Sequence, residues 1–175
     1  MDKLDIVTDE SGNEVVLLPE IIFFNKQNIN WNDVEDYLGK YVGELIEIAE
    51  TRDIIYIGNK FPDEYGGSSY TRKTKGARAK AKANAAQGIR EMVEIATDKV
   101  YRENHKEKHS EDVHNGWFYY VTRFAIPLYN NEKKTGEYNV YSSRLVVNYA
   151  SNGKMYLYDI VDIKKEASNP LKTIK

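Results

Sequence analysis

The three histidines of the chain lie close together, at His105, His109 and His114. Histidine is the side chain whose ordinary pKa lies nearest neutrality, so it acts as a general acid or base without a metal. His109 and His114 immediately precede an aromatic run that begins at Trp117, and such a run is typical of a strand. We therefore predict His109 and His114 as catalytic acid–base residues at the entrance to a sheet.

The histidines also allow two other interpretations. His105 and His109 are four positions apart, a spacing that can hold a metal if the segment is helical. However, the His-Glu-x-x-His pattern is absent, and a histidine in a charged segment is usually a solvated surface residue. We predict no metal site and no cofactor, and the surface interpretation stays open.

Polar side chains interrupt the aromatic runs that follow. An unpaired charge inside a sheet is costly, so Arg123 and Arg144 must pair with acidic residues such as Asp159 and Asp162 or face a cleft that binds an anion. A metal-independent ribonuclease needs an acid, a base and cations around the phosphate. We therefore add Arg123, Ser143 and Arg144 to the predicted catalytic residues, with an Arg144–Asp159 ion pair as the alternative.

Charge is unevenly distributed along the chain. The formal net charge is −2 overall, but −10 over residues 1–67, +6 over 68–110 and +2 over 111–175. Such asymmetry indicates a patch that binds a polyanion, unless the acidic part packs beside the basic part. The 14 tyrosines would offer stacking surfaces for unpaired bases, although tyrosine is equally suited to a core.

The alanine-rich segment 75–101 predicts a long amphipathic helix. When residues are placed at 100° intervals around the helix axis, one face of this helix is basic in the N-terminal half and apolar in the C-terminal half. The basic residues of that face, together with a lysine beside the last predicted turn, are our predicted nucleic-acid-binding residues: Lys75, Arg78, Lys82 and Lys154. The alternative is that the lysine stems cover apolar surface while their charged ends reach water.

The segments before this helix are shorter. Residues 14–24 are β-branched and aromatic, but Pro19 limits them to an edge strand or two short strands. Helical spacing predicts a short helix from Trp31 to about Gly43. Residues 45–48 and 54–57 indicate a hairpin, and residues 58–75 a long exposed loop.

Three strand-like runs follow the helix, at 117–129, 138–150 and 154–163. Asn152-Gly153 predicts a two-residue turn that places Tyr149 opposite Tyr156 and Leu145 opposite Ile160. The predicted fold is α+β: a long amphipathic helix packed on an antiparallel β-meander of at least three strands, with an N-terminal strand, helix and hairpin segment. We predict a single domain over 1–175, comprising an acidic N-terminal segment 1–67 and a segment 68–175 that holds the long helix and the sheet.

Composition excludes several classes of protein. Without cysteine there is no disulfide framework and no thiolate nucleophile. No apolar run approaches the roughly 20 residues of a membrane span. We predict a cytoplasmic protein with no membrane partner, whose oligomeric state the sequence leaves undetermined.

Four segments carry a family resemblance: IIYIGNKFPDEYGGSSYT, KAKANAAQGIREMVEIAT, KHSEDVHNGWFYYVTRFAIPLY and GKMYLYDIVDIKKE. With them, the chain from about Trp31 to Leu171 resembles the large polyvalent protein-associated domain families of phages and conjugative elements. Several domains in that setting resemble the barnase, EndoU, colicin and RelE group of metal-independent ribonucleases. The resemblance implies helices before an antiparallel sheet, with a histidine before the sheet (His109 or His114) and basic or hydroxyl residues on its strands.

Two functions follow from these observations. The first is a metal-independent RNA-cleaving domain of a phage or mobile genetic element. The second is a non-catalytic module of such an element that contacts a host protein or a nucleic acid through its basic residues and tyrosines. A third possibility is a fold without activity, in which the acidic N-terminal segment covers the basic groove.

Overall fold

The computed structural model describes residues 3–24, 28–103, 116–166 and 169–172. Within these ranges the chain forms one mixed β-sheet with short helices packed against it. The strands are β1 (Ile6–Thr8), β2 (Glu14–Leu17), β3 (Leu45–Glu47), β4 (Ile54–Tyr56), β5 (Thr97–Arg102), β6 (Trp117–Asn130), β7 (Lys133–Tyr149), β8 (Met155–Lys165) and β9 (Leu171–Lys172). The helices are α1 (Trp31–Leu38), α2 (Phe61–Gly67), α3 (Ser69–Lys73), α4 (Gly76–Ala85) and α5 (Ile89–Glu94).

The sheet has the strand order β1-β2-β6-β7-β8-β4-β3 and curls into a half-barrel. β5 pairs with the first half of β6, and β9 pairs with the first half of β7. β2 runs parallel to β6 and β4 parallel to β8, while the other pairs are antiparallel. The long strands β6, β7 and β8 therefore form the middle of the sheet.

The two faces of this sheet have different roles. On β6, the side chains of Tyr120 and Phe124 belong to the main hydrophobic core together with Ala81 and Ala83 of α4. We call this side the helix face. Tyr119 and Arg123 alternate with those core residues and point to the opposite side, which we call the outer face.

The predicted long helix on a three-stranded meander is wrong. Residues 76–94 form two short helices, α4 and α5, separated by the 3-10 turn Ala86–Gly88, and residues 97–102 are a strand. Gly88 leaves helical geometry, with φ −117° and ψ 21°, and a Cβ there would lie 3.1 Å from Leu18 Cδ2. The close approach of this turn to the N-terminal strands therefore separates the two helices.

The burial of side chains also contradicts the predicted amphipathic pattern of segment 75–101. Positions 81–89 are all buried, so α4 has no solvent-exposed polar half in its C-terminal part. Alanine has a high helix propensity, but it also lets a helix pack closely on every side. Val100, in the second half of the predicted helical segment 75–101, is instead exposed on β5.

The shorter predictions have mixed outcomes. The helix from Trp31 is confirmed as α1, with the side chain of Asn30 accepting a hydrogen bond from the Asn32 N–H at its start. The hairpin is confirmed as β3 and β4. The long exposed loop over 58–75 is wrong, because α2 and α3 form there and bury Tyr65 in the core.

The predicted register between β7 and β8 is only partly right. Leu145 lies opposite Ile160 as expected, but Tyr149 lies opposite Met155 rather than Tyr156. A bulge between Val146 and Val147 accounts for the shift of one position. The pairing next to the turn therefore differs by one residue from the predicted register, and one extra residue on β8 restores the predicted register beyond the bulge.

None of the described helices has the length and apolar character needed to cross a membrane.

Candidate nucleic-acid interface

The register between β6 and β7 sets which side chains share the outer face. Trp117 lies opposite Asn148, Val121 opposite Arg144, and Arg123 opposite Ser142. Side chains of directly paired residues point to the same side of an antiparallel sheet, and alternate pairs share that side. The outer face of the central strands therefore carries Trp117, Arg123 and Arg144 together.

Tyr119 lies between two guanidinium groups on this face. The guanidinium carbon of Arg144 on β7 is 4.8 Å from the centre of the Tyr119 ring, and that of Arg102 on β5 is 5.2 Å from it. The aromatic ring is half-exposed and Arg102 is exposed. Both guanidinium groups lie over the ring in cation–π contacts, and Tyr119 keeps part of its surface accessible to solvent.

Further aromatic rings extend this surface across the sheet. The Trp117 and Tyr158 rings are in edge-to-face contact with centroids 5.1 Å apart, and the Tyr56 and Tyr156 rings are 5.6 Å apart. All four rings are half-exposed. Lys154 Nζ lies 5.0 Å above the Tyr56 ring. A row of rings edged with positive charge therefore runs from β6 across β8 to β4.

Both mid-strand arginines also have acidic neighbours. Arg123 Nε donates to Glu166 Oε1 at 2.8 Å, and both side chains are partly exposed. Arg144 Nη1 lies 3.7 Å from Asp162 Oδ2, a looser contact with a more exposed carboxylate. The predicted Arg144–Asp159 pair is therefore wrong, and the other acidic residue predicted as a partner, Asp162, is the one beside Arg144. Arg144 is the less tightly held of the two arginines.

Asp159 instead pairs with Lys82, one of the predicted nucleic-acid-binding residues. Lys82 Nζ donates to Asp159 Oδ1, and both side chains are buried. Burial lowers the pKa of Lys82 and raises the pKa of Asp159, while the opposite charge of each partner counteracts these shifts. Lys82 thus lies inside the protein and not on a surface that a phosphate reaches.

The other predicted site residues are dispersed. Ser143 faces the helix side, where its Oγ donates to the Thr122 carbonyl at 3.2 Å, so it is not beside Arg123 and Arg144. Lys75 and Arg78 are exposed at the start of α4, which packs on the helix face. Lys154 shares the outer face with Arg144. His109 and His114, with His105, lie outside the described residues.

The described ranges hold no group of three or more histidine, aspartate and glutamate side chains that could bind a metal ion.

Comparison with protein-family models, with curated proteins and with solved structures gives no match. The resemblance to the large polyvalent protein-associated domain families therefore stays a prediction.

Sequence reasoning missed Arg102 and did not single out Tyr119. Arg102 lies just beyond the predicted helical segment 75–101, and in the structure it ends β5 opposite Trp117. A signal for Tyr119 existed: residues 117, 119, 121 and 123 share one side of any strand that begins at Trp117. Only strand pairing places Arg102 and Arg144 on either side of that ring.

Proposed function

We propose that the outer face of the sheet binds single-stranded nucleic acid. The observation that carries the proposal is the half-exposed Tyr119 ring held between the guanidinium groups of Arg102 and Arg144. Unpaired bases stack on aromatic side chains whatever their identity, and arginines beside the rings pair with the phosphates. The Trp117–Tyr158 contact offers a second stacking position on the same face.

The local charge supports this partner although the whole chain is slightly acidic. Arg102 and Lys154 are exposed, and the contact of Arg144 with Asp162 is long enough for a phosphate to compete for the guanidinium. Such binding depends on counterion release and weakens as salt rises. A nucleic-acid partner agrees with the predicted cytoplasmic location. That location stays a prediction, and so does the alternative partner, a host protein.

The test compares two tyrosines on opposite sides of β5 and β6. Tyr119→Leu removes the ring between the arginines, whereas Tyr101→Leu removes an exposed ring that contacts Phe118 on the helix side. We expect Tyr119→Leu to weaken binding of a short labelled RNA or DNA strand about tenfold or more, measured by fluorescence anisotropy at low salt. Tyr101→Leu should leave the affinity unchanged.

Two outcomes would refute this proposal. One is an absence of salt-sensitive binding by the wild-type protein. The other is a loss of affinity in Lys75→Gln and Arg78→Gln while Tyr119→Leu binds normally, since the exposed start of α4 would then be the contact surface.

RNA cleavage remains a separate prediction, because its acid–base residues His109 and His114 are outside the described ranges. It is tested by incubating labelled RNA with the wild-type protein, His109→Ala and Arg144→Ala in the presence of EDTA. Cleavage by the wild-type protein alone would support it, and equal cleavage by all three proteins, or by none, would refute it.

A further inference from the structure

A cavity of about 200 Å³ opens at one end of the sheet. The segment that follows β4 forms one wall, with Gly58, Asn59 and Glu64. The ends of β7 and β8 form the other wall, with Asn148 and Tyr156. This volume is below the roughly 300–1,000 Å³ of pockets for drug-sized ligands, so it suits an occupant of one ring system.

Asn148 is the unusual residue of this cavity. Its side chain is only 8% exposed, and its Oδ1 atom is buried with no hydrogen-bond partner among the described residues. Buried acceptors in folded proteins are nearly always paired, so an unpaired one that lines a cavity indicates a donor supplied from outside. A ligand with an N–H or O–H group at this position would complete the hydrogen bonding of Asn148 Oδ1.

The neighbourhood of Asn148 narrows the class of ligand. Asn148 lies opposite both Trp117 and Tyr156, so it belongs to the aromatic outer face. The Tyr156 ring packs against Tyr56 and lines the cavity, which gives a flat occupant an aromatic wall. A carboxamide offers an acceptor and a donor side by side, the arrangement that pairs with an amino-bearing base edge such as adenine N6 and N7.

We propose that this cavity accepts a single amino-bearing nucleobase, with Asn148 Oδ1 accepting a hydrogen bond from the exocyclic amino group. The inference rests on the proposed function, since it gives one base of a bound strand a place beside the stacking surface. Adenine presents its exocyclic amino group beside a ring nitrogen, so it can pair with both atoms of the carboxamide. The outer face would then bind strands generally, and the cavity would add a preference for adenine at one position.

The experiment uses nucleosides, which lack the phosphates that the arginines would bind. Adenosine and purine riboside, which has no amino group, are titrated into the full chain, and amide chemical shifts are followed by NMR. The variants are Asn148→Leu and, as the matched control on the same strand, Asn139→Leu, which lies opposite Ile126 on the helix face.

We expect the wild-type protein and Asn139→Leu to bind adenosine at least tenfold more tightly than purine riboside, with shifts at Gly58 and Tyr156. Asn148→Leu should bind both nucleosides with the same weak affinity. Because this substitution removes an unpaired buried acceptor, the variant is expected to fold at least as stably as the wild-type protein. Equal binding of the two nucleosides by the wild-type protein, or no shift around the cavity, would overturn the inference.

Failure of this inference is distinguishable from failure of the proposed function. If the protein bound single-stranded nucleic acid in a salt-sensitive way that depends on Tyr119, but did not bind nucleosides, only the proposed nucleobase cavity would be refuted. If the protein bound adenosine in a way that depends on Asn148, but did not bind single-stranded nucleic acid, only the proposed function of the outer face would be refuted.

Discussion

Lys82 of α4 and Asp159 of β8 form an ion pair in which the side chains are 0% and 1% exposed. Two rings lie over the ammonium group, with Nζ 4.6 Å from the centre of Tyr65 and 4.9 Å from that of Tyr70. The Ile160 N–H donates to Asp159 Oδ1 at 2.8 Å. The pair joins the helical layer to the centre of the sheet, and its charges have no access to water.

Removing one member of this pair should destabilise the protein strongly. Lys82→Met leaves a buried carboxylate without its cation, and we expect the free energy of unfolding to fall by about 3–5 kcal/mol. The double variant Lys82→Met/Asp159→Leu should recover most of that loss, because no unpaired charge remains. Urea unfolding followed by circular dichroism measures both values.

The matched control for this pair is exposed. Lys172 Nζ lies 3.8 Å from Glu137 Oε2 at the surface, and Lys172→Met should cost less than about 1 kcal/mol. If Lys82→Met costs no more than Lys172→Met, the buried pair is not an important contribution to stability.

Asp53 should make stability depend on pH in the acid range. Burial raises the pKa of Asp53, but hydrogen bonds from Lys99, Thr51 and Tyr120 outweigh burial and hold the pKa below its ordinary 3.8. A carboxylate with a lowered pKa in the folded state stabilises the protein above the unfolded value. That stabilisation should disappear as the pH falls from about 4 through the folded-state pKa.

The measurement is a carboxyl NMR titration combined with unfolding at several pH values. Tyr120→Phe removes the donor 2.8 Å from Asp53 Oδ2 and should move the pKa of Asp53 upward, whereas Tyr129→Phe at an exposed position should not. Asp53→Asn should make the loss of stability below pH 4 smaller. If stability fell below pH 4 as much in Asp53→Asn as in the wild-type protein, Asp53 would not be a cause of that fall.

Strand binding should show a salt dependence set by individual arginines. If Arg102 and Arg144 each contact one phosphate, Arg102→Gln and Arg144→Gln should each reduce the slope of log K against log salt by about 0.7. Lys133→Gln, in an exposed position at the far end of β7, is the matched control and should leave the slope unchanged. Identical slopes for all four proteins would exclude phosphate contacts at the two arginines.

Thr122 should stabilise the contact between α5 and the sheet. Its Oγ1 donates to the Met92 carbonyl at 2.7 Å and is buried. Thr122→Val keeps the shape but leaves that carbonyl unpaired, so we expect a loss of about 1–3 kcal/mol in thermal or urea unfolding. Thr135→Val removes a similar but exposed bond to the Leu128 carbonyl and should have little effect. Equal losses in the two variants would argue against a role for burial.

The sequence predicted best where local chemistry decides the structure. Asn30 before Trp31 sets the start of α1 because a side-chain cap acts within one helical turn. Leu45–Glu47 and Ile54–Tyr56 pair as a hairpin because few residues separate them. The alternation of residues from Trp117 likewise assigns Arg123 to one side of β6 without any knowledge of its neighbours.

The sequence predicted less well where residues far apart in the chain meet. Lys82 and Asp159 are 77 positions apart, and their pairing turns a predicted surface lysine into a buried one. Gly88 separates α4 from α5 because it packs against Leu18, and this contact cannot be inferred from helix propensity.

By itself, then, the sequence determined the short helix, the hairpin and the strand-forming aromatic runs, since propensity, capping and alternation act between neighbouring residues. Only the tertiary structure decided which cations are buried and which rings remain exposed. The packing of Gly88 ended the long helix, and the pairing of β5, β6 and β7 placed Arg102 and Arg144 around Tyr119. Such contacts depend on the free energy of the whole fold, because each requires distant segments to be brought together.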